Sequence, residues 1–249
     1  MRQTLSASLL LALLVPATGT AGIVIVNHDE WTLSNLGVNA AQFGANIANY
    51  FAGGPGGNFL IYSNDTFGLA NSTLINAITS AGHTVTVNTG ITFDLPTLSA
   101  YTGIFLGGYV GSYSAAVLTD YVNKGGNVYL AGGTGSIAFE DSVWDPFLAN
   151  FGFNFGFSYN GIAGTFAPTT SHPIFAGVPS LLYNNGNTVL LTGSTLDARL
   201  IAVHPVTGDG LIGIYERTGE EGGGGEIPEP STLALVGAGL LAAGLLRRR

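Results

Sequence analysis

Asn127-Val128-Tyr129-Leu130-Ala131-Gly132-Gly133-Thr134-Gly135-Ser136 is the stretch from which the fold is read. A short apolar run breaks abruptly into glycines. That is the pattern of a strand covered on both faces and ending in a tight turn. Just upstream, Val117, Leu118, Tyr121 and Val122 recur at helical spacing across Ala115 to Asn123, and Gly125-Gly126 closes the segment. Helix, glycine stop, buried strand, glycine turn is one repeat of a parallel α/β sheet.

The same alternation extends toward the N-terminus. Ile23 to Val26 and Phe59 to Tyr62 read as buried strands, and so does Ile104 to Leu106, which ends in Gly107-Gly108. Ala40 to Phe51 carries Phe43, Ile47, Tyr50 and Phe51 at helical spacing. Leu69 to Ala81 does so through Leu74, Ile75 and Ile78, with Gly82 at its C-terminal cap position. Thr84 to Val87 alternates as a strand. The pattern changes after Trp144. Phe147 to Phe151 is at most a short helix, and Phe151 to Phe157 alternates aromatic with small or polar residues. Thr188 to Leu191, Leu200 to Val203 and Leu211 to Tyr215 are strands with no helices between them. The expected fold class is therefore α/β. It has a mostly parallel sheet with helices on both faces and an antiparallel β extension in the C-terminal third.

Both ends read as addresses. Arg2 supplies a basic n-region, Leu9 to Val15 an apolar h-region, and Gly19-Thr20-Ala21 a small-residue cleavage site, so residues 1–21 read as a signal peptide. Residues 22–219 form the expected single domain, and residues 220–226 a Gly-rich linker. Leu233 to Leu246 carries no charge and is stopped by Arg247, Arg248 and Arg249. Extended back to Pro230, with the arginines snorkelling at the cytoplasmic face, it approaches the ~20 residues of a transmembrane helix.

Cysteine is absent, which removes disulfides, thiol nucleophiles and thiolate metal sites. Only 9% of residues are charged, and 38 are glycine. From Gly22 to Glu226 three basic residues, Lys124, Arg199 and Arg217, face fourteen acidic ones, a net of −11. Such a surface repels phosphate backbones, so nucleic acid is excluded as a partner. Neutral glycans and divalent cations are compatible.

The Pro228-Glu229-Pro230 triplet, the apolar run and the terminal arginines together resemble the PEP-CTERM sorting signal of Gram-negative bacteria. The resemblance implies transient anchoring in the inner membrane and cleavage near the triplet by an exosortase. It also implies delivery to the cell surface or exopolysaccharide matrix. A second resemblance covers Ser63 to Ser136, which is similar to the core of a class I glutamine amidotransferase-like, flavodoxin-like domain. It rests on Ala81-Gly82-His83-Thr84-Val85 and on the later Ser171-His172-Pro173-Ile174-Phe175-Ala176-Gly177-Val178. That superfamily presents a nucleophile, usually cysteine, at the strand-to-helix turn, with backbone N–H groups forming an oxyanion hole.

Here the turn keeps its glycines but not the sulfur, and Thr134 stands in the nucleophile's place. Thr134 or Ser136, with His172 as base, would make a weak hydrolase. His172 precedes Pro173, which suits a structural turn equally well. Asp29-Glu30 and Glu140-Asp141 with Asp145 cluster in loops that a parallel sheet brings to one edge, and such oxygen-rich loops suit Ca²⁺. Trp31, Tyr109, Tyr113 and Trp144 suit a sugar-stacking platform at the same edge. The expectation is a non-enzymatic surface or matrix protein binding a glycan or surface partner, without a resident cofactor.

Overall fold

The computed structural model describes residues 21–217. Five strands run parallel at its centre: β1 (Val24–Asn27), β2 (Asn58–Tyr62), β3 (Thr84–Val87), β4 (Gly103–Leu106) and β5 (Asn127–Ala131). Beyond them come β6 (Phe153–Tyr159), β7 (Ala163–Phe166), β8 (Leu181–Asn184), β9 (Asn187–Leu191), β10 (Ala198–Val203) and β11 (Gly210–Tyr215). The main sheet has the spatial order β3-β2-β4-β5-β1-β11-β10, and β11 and β10 are antiparallel to their neighbours. Two small antiparallel pairs, β6 with β9 and β7 with β8, complete the β structure. The mixed sheet and the antiparallel additions after Trp144 follow the sequence reading.

The helices are α1 (Ala40–Ala52), α2 (Ser72–Ser80), α3 (Leu95–Leu98), α4 (Ala115–Asn123) and α5 (Glu140–Leu148). Each of the middle three starts on a side-chain cap. Asn71 accepts from Leu74 N–H at 3.0 Å, Asp94 from Thr97 N–H at 2.9 Å, and Ser114 from Val117 N–H at 3.4 Å. Gly53 ends α1 in the left-handed region, at φ 66°.

Side-chain alternation sorts the core into two layers. Ile25, Phe59, Ile61, Phe105 and Tyr129 pack on one face against Phe43, Ile47 and Phe51 of α1 and Leu74 and Ile78 of α2. Val24, Val26, Leu60, Ile104, Leu106, Val128 and Leu130 pack on the other. They meet Leu118, Tyr121 and Val122 of α4 and Trp144, Phe147 and Leu148 of α5. Burying each such aliphatic or aromatic side chain contributes about 1.5–3 kcal/mol relative to exposure.

Right-handed crossovers explain which helix lies where. Moving from β1 to β2 and from β2 to β3 carries the chain one way across the sheet and puts α1 and α2 on the first face. Moving from β3 through β4 to β5 goes the other way and puts α3 and α4 on the second. The parallel order is that of a doubly wound, flavodoxin-like sheet. One difference stands out: β1, the first strand in the chain, occupies the place that order gives to the last. Connections therefore diverge to opposite faces at two neighbouring pairs, β2/β4 and β5/β1. Crevices outside the carboxyl ends of strands at such divergences are where α/β sheets bind ligands.

Candidate functional site at the carboxyl edge of the sheet

The loops after β1, β2, β4 and β5 converge at this edge. A Cβ placed on Gly108 would lie 3.6 Å from Thr134, 3.7 Å from Asp65 and 3.7 Å from Ser136. Gly133, at φ 64°, packs against the backbone of His28 and Asp29. A side chain there would be strained in conformation and would strike its neighbours as well.

At the turn after β5 the Glu140 carboxylate fills the place an anionic ligand would take. Gly133 N–H donates to Glu140 Oε2 at 2.6 Å, and Thr134 N–H donates to Oε1 at 3.0 Å. The Thr134 hydroxyl donates to the same Oε1 at 2.5 Å. Asn187 Oδ1 accepts a second, weaker bond from Gly133 N–H at 3.1 Å. Thr134 and Glu140 are both buried. Burial raises the Glu140 pKa, and the bonds from Thr134 and Gly133 oppose that rise. Ser136 is exposed, and its hydroxyl reaches only Thr134 O, at 3.4 Å.

His172 is placed elsewhere. It caps a 3-10 turn, Pro173–Phe175, where its Nδ1 accepts from Ile174 N–H at 3.4 Å. Its Nε2 lies 3.5 Å from Glu216 Oε1. Glu216 follows β11, whose Tyr215 pairs with Val24 at the amino end of β1. The histidine thus sits at the edge opposite Thr134, across the length of the strands, about 10 Å for a four-residue strand. The expected pairing of His172 with Thr134 or Ser136 is corrected accordingly: the Pro173 turn fixes the ring beside Glu216, Tyr50 and Arg199.

Four carboxyls do meet at the carboxyl edge. Asp29 Oδ1 accepts from Trp31 N–H at 3.0 Å, and Oδ2 accepts from Asn184 N–H. Burial pushes Asp29 up to about 6. Glu30 is buried and pairs with Asp65; burial, reinforced by Asp65, pushes it up to about 9. Glu140 completes the group. Asp141 and Asp145 lie on α5, and Asp145 turns toward β6, accepting from Phe155 N–H at 2.8 Å. Among the described residues no group of three or more His, Cys, Asp or Glu side chains is placed to hold a metal ion.

The aromatic expectations divide. Trp31 is half-buried, edge-on to Phe67 with centroids 4.7 Å apart. Tyr109 is half-buried against Tyr62, and Tyr113 against Trp144 and Phe93. Trp144 is fully buried in the second core layer. It offers no face to a ligand, because α5 begins earlier than the sequence suggested and turns this position inward.

The open rings are others. Phe139 is 64% exposed, Phe157 75% and Tyr159 40%. Phe139 and Phe157 have centroids 6.3 Å apart, and Tyr159 Oη accepts from Gly135 N–H at 2.9 Å. Phe139 holds φ 58°, a left-handed conformation unusual for a bulky aromatic. The sequence signal for Phe157 and Tyr159 was the period-2 run from Phe151. Phe153 and Phe155 go into the core, and the strand then leaves it.

Among protein-family models, that of the PEP-CTERM protein-sorting motif matches residues 226–249. The motif implies export, recognition by an exosortase and a membrane-anchored precursor. The expected transmembrane helix, the triplet Pro228-Glu229-Pro230 and Arg247 to Arg249 lie outside the described residues, as does the signal peptide. Among the described residues no helix is long and apolar enough to cross a membrane. Comparison with curated proteins and with solved structures finds no match. The resemblance of the central domain to a glutamine amidotransferase-like domain has no support from a family model.

Proposed function

We propose that the exported domain is a non-enzymatic cell-surface or matrix protein that holds a neutral glycan at its carboxyl edge. The observation that carries this reading is Glu140 on the Gly133–Thr134 turn. A hydrolase needs free N–H donors for the developing oxyanion and a hydroxyl directed at substrate. Here both N–H groups and the hydroxyl are spent on the chain's own carboxylate.

Beside that closed turn lie the open faces of Phe139, Phe157 and Tyr159, with Trp31 on the lip formed after β1. Aromatic faces stack on the apolar faces of sugar rings, each contributing about 1 kcal/mol. Uncharged sugar suits an edge that gathers Asp29, Glu30, Asp65 and Glu140. The basic residues of the domain do not offset them: Arg199 and Arg217 flank the far end of β11, and Lys124 precedes β5.

A second reading draws on the same geometry. Glu140, with its raised pKa, stands against the Thr134 hydroxyl as a general base would. Affinity electrophoresis through gels containing neutral dextran, neutral β-glucan or anionic alginate, run beside a panel of ester and amide substrates, separates the two. Retardation by a neutral polymer, weakened roughly fivefold by Phe157→Ala and unaffected by Thr134→Ala, is the expected result. Turnover that disappears in Thr134→Ala would replace this reading with the hydrolase.

A further inference from the structure

We propose that the carboxyl edge carries a proton-held latch, in which one proton shared between Glu30 and Asp65 ties the turn after β1 to the loop after β2 and lets it go in alkaline solution. The geometry comes first. Glu30 opens a 3-10 turn, Glu30–Leu33, and Asp65 lies in the connection from β2 to α2. The two carboxyls converge over Gly68: a Cβ there would collide with Glu30 Oε2 and lie 3.1 Å from Asp65 Oδ2. Asp65 Oδ1 is already occupied by Phe67 N–H at 2.9 Å, so Oδ2 is the oxygen left to accept from Glu30.

Around this pair the two loops hold each other by thin contacts. Asn35 N–H donates to Phe67 O at 3.2 Å, Asn71 Nδ2 donates to Leu33 O at 2.8 Å, and Trp31 meets Phe67 edge-on.

The groups that face Glu30 are all acidic or neutral. Asp29 precedes it, Asp65 adjoins it, and Glu140 comes from α5. Tyr159 from β6 is near the same carboxylates. His28 is buried at the end of β1, stacked on Tyr183, and burial lowers it to about 3, so it supplies no positive charge. A carboxylate created at Glu30 would therefore stand unpaired and buried between three others. Burial and Asp65 push Glu30 up to about 9, and Asp29 and Asp145 go up only to about 6. Burial raises Glu140 as well, so it is the Glu30→Gln comparison that assigns the fall between pH 7 and 9 to Glu30.

The sign follows from linkage. A carboxyl whose folded pKa lies above its unfolded value binds more protons in the folded state. Its stabilisation is complete below the unfolded value and drains away as pH rises to the folded one. One retained proton lowers the folding equilibrium constant by about tenfold per pH unit in that interval.

The test uses the full-length protein, with thermal midpoints from pH 5 to 9.5 for wild type, Glu30→Gln and Asp65→Asn, and hydrogen exchange corrected for intrinsic rate. The wild-type midpoint is expected to fall steadily from pH 7 to 9. Glu30→Gln, which mimics the protonated acid, should match wild type at pH 5 and lose that fall, and Asp65→Asn should blunt it. Protection in residues 29–37 and 63–70 should drop at pH 9 while β4 and β5 stay protected. A Glu30→Gln curve parallel to wild type, or protection lost evenly across the sheet, would overturn the latch. Should Glu30→Gln fail to fold at pH 5, a ¹³C titration of the wild-type carboxyls decides: a Glu30 midpoint below pH 7 refutes the latch, and one at or above pH 7 upholds it.

Discussion

Glu140 Oε1 lies 2.5 Å from the Thr134 hydroxyl and 3.0 Å from the Thr134 N–H, so one carboxylate oxygen takes both donors of the residue that stands at the elbow. The other oxygen takes Gly133 N–H. The bond from Gly133 shows what this carboxylate does for the fold, because it can be removed without changing the side chain's size.

Glu140→Gln puts an amide NH₂ where one of these oxygens was. Either that NH₂ faces Gly133 N–H, which then keeps only its 3.1 Å bond to Asn187 Oδ1, or it faces Thr134 and leaves the Thr134 N–H with no acceptor. A buried donor left without an acceptor costs about 1–3 kcal/mol. Urea unfolding at pH 7 should show a loss in that range with an unchanged m-value. An unchanged midpoint would mean that the turn holds itself.

Phe139 offers the opposite outcome. An aromatic residue at φ 58° is strained by roughly 1–2 kcal/mol, and Asn tolerates that region. Phe139→Asn should therefore leave the domain as stable as wild type, or more stable by up to about 1 kcal/mol, while weakening retention on neutral polymer. Trp144→Ala should do the reverse: it empties a fully buried site at a cost of about 3–5 kcal/mol and alters retention only through unfolding.

At the other edge, Glu216 accepts from Tyr50 Oη and from Arg199, with His172 beside it. Burial opposes its charge, but these donors and the Arg199 charge together lower its pKa below the ordinary value of 4.5. A lowered carboxyl stabilises the fold above its unfolded pKa and loses that contribution as pH falls through the folded one. Arg199 is partly exposed, so its charge contributes under about 1 kcal/mol. Denaturation from pH 6 down to pH 3 should be steeper for wild type than for Glu216→Gln; parallel curves would remove the carboxylate from the account.

Processing makes its own forecast. Intact mass of protein extracted from the cell surface should lack Met1–Ala21 and the segment after Pro228-Glu229-Pro230. A mass that still includes Arg249 would contradict exosortase cleavage. A chain ending at Glu221 should melt at the same temperature as the full chain, since Gly222–Gly225 has no side chains to pack.

Much of the scaffold was legible because its signals are local. Thr84–Val87, Ala115–Asn123 and Asn127–Ala131 were bounded to the residue by alternation, helical spacing and glycines. What escaped was short or set from a distance. The helix Leu95–Leu98 has its Asp94 cap and Pro96 in plain view, yet it is too short for periodicity. The strands Ala163–Phe166 and Leu181–Asn184 pair only with each other.

The helix Glu140–Leu148 is hard to see in the sequence, with Pro146 inside it and no side-chain cap at Phe139. Read as loop, the segment puts Trp144 on the surface; as helix it turns Trp144 into the core. The same rule that sends parallel-strand loops to one edge did bring Asp29, Glu30 and Glu140 together. Asp65 joins them from the loop after Phe59–Tyr62, where nothing in the local sequence marks it. The run from Phe151 to Phe157 showed which residues share a face, but only the tertiary fold decides that Phe155 is inside and Phe157 outside.

Strand polarity has one more result. Ala21 leads into β1 from the sheet's amino edge, and β11, running the opposite way, delivers Arg217 to that same edge. The first and last described residues of the domain are therefore neighbours, and both lie across the sheet from Phe139, Phe157 and Glu30. The rim that carries Phe139, Phe157 and Glu30 is built from residues that lie between Ala21 and Arg217 in the chain. Cleavage at Ala21 or beyond Arg217 would therefore leave every residue of that rim in the chain.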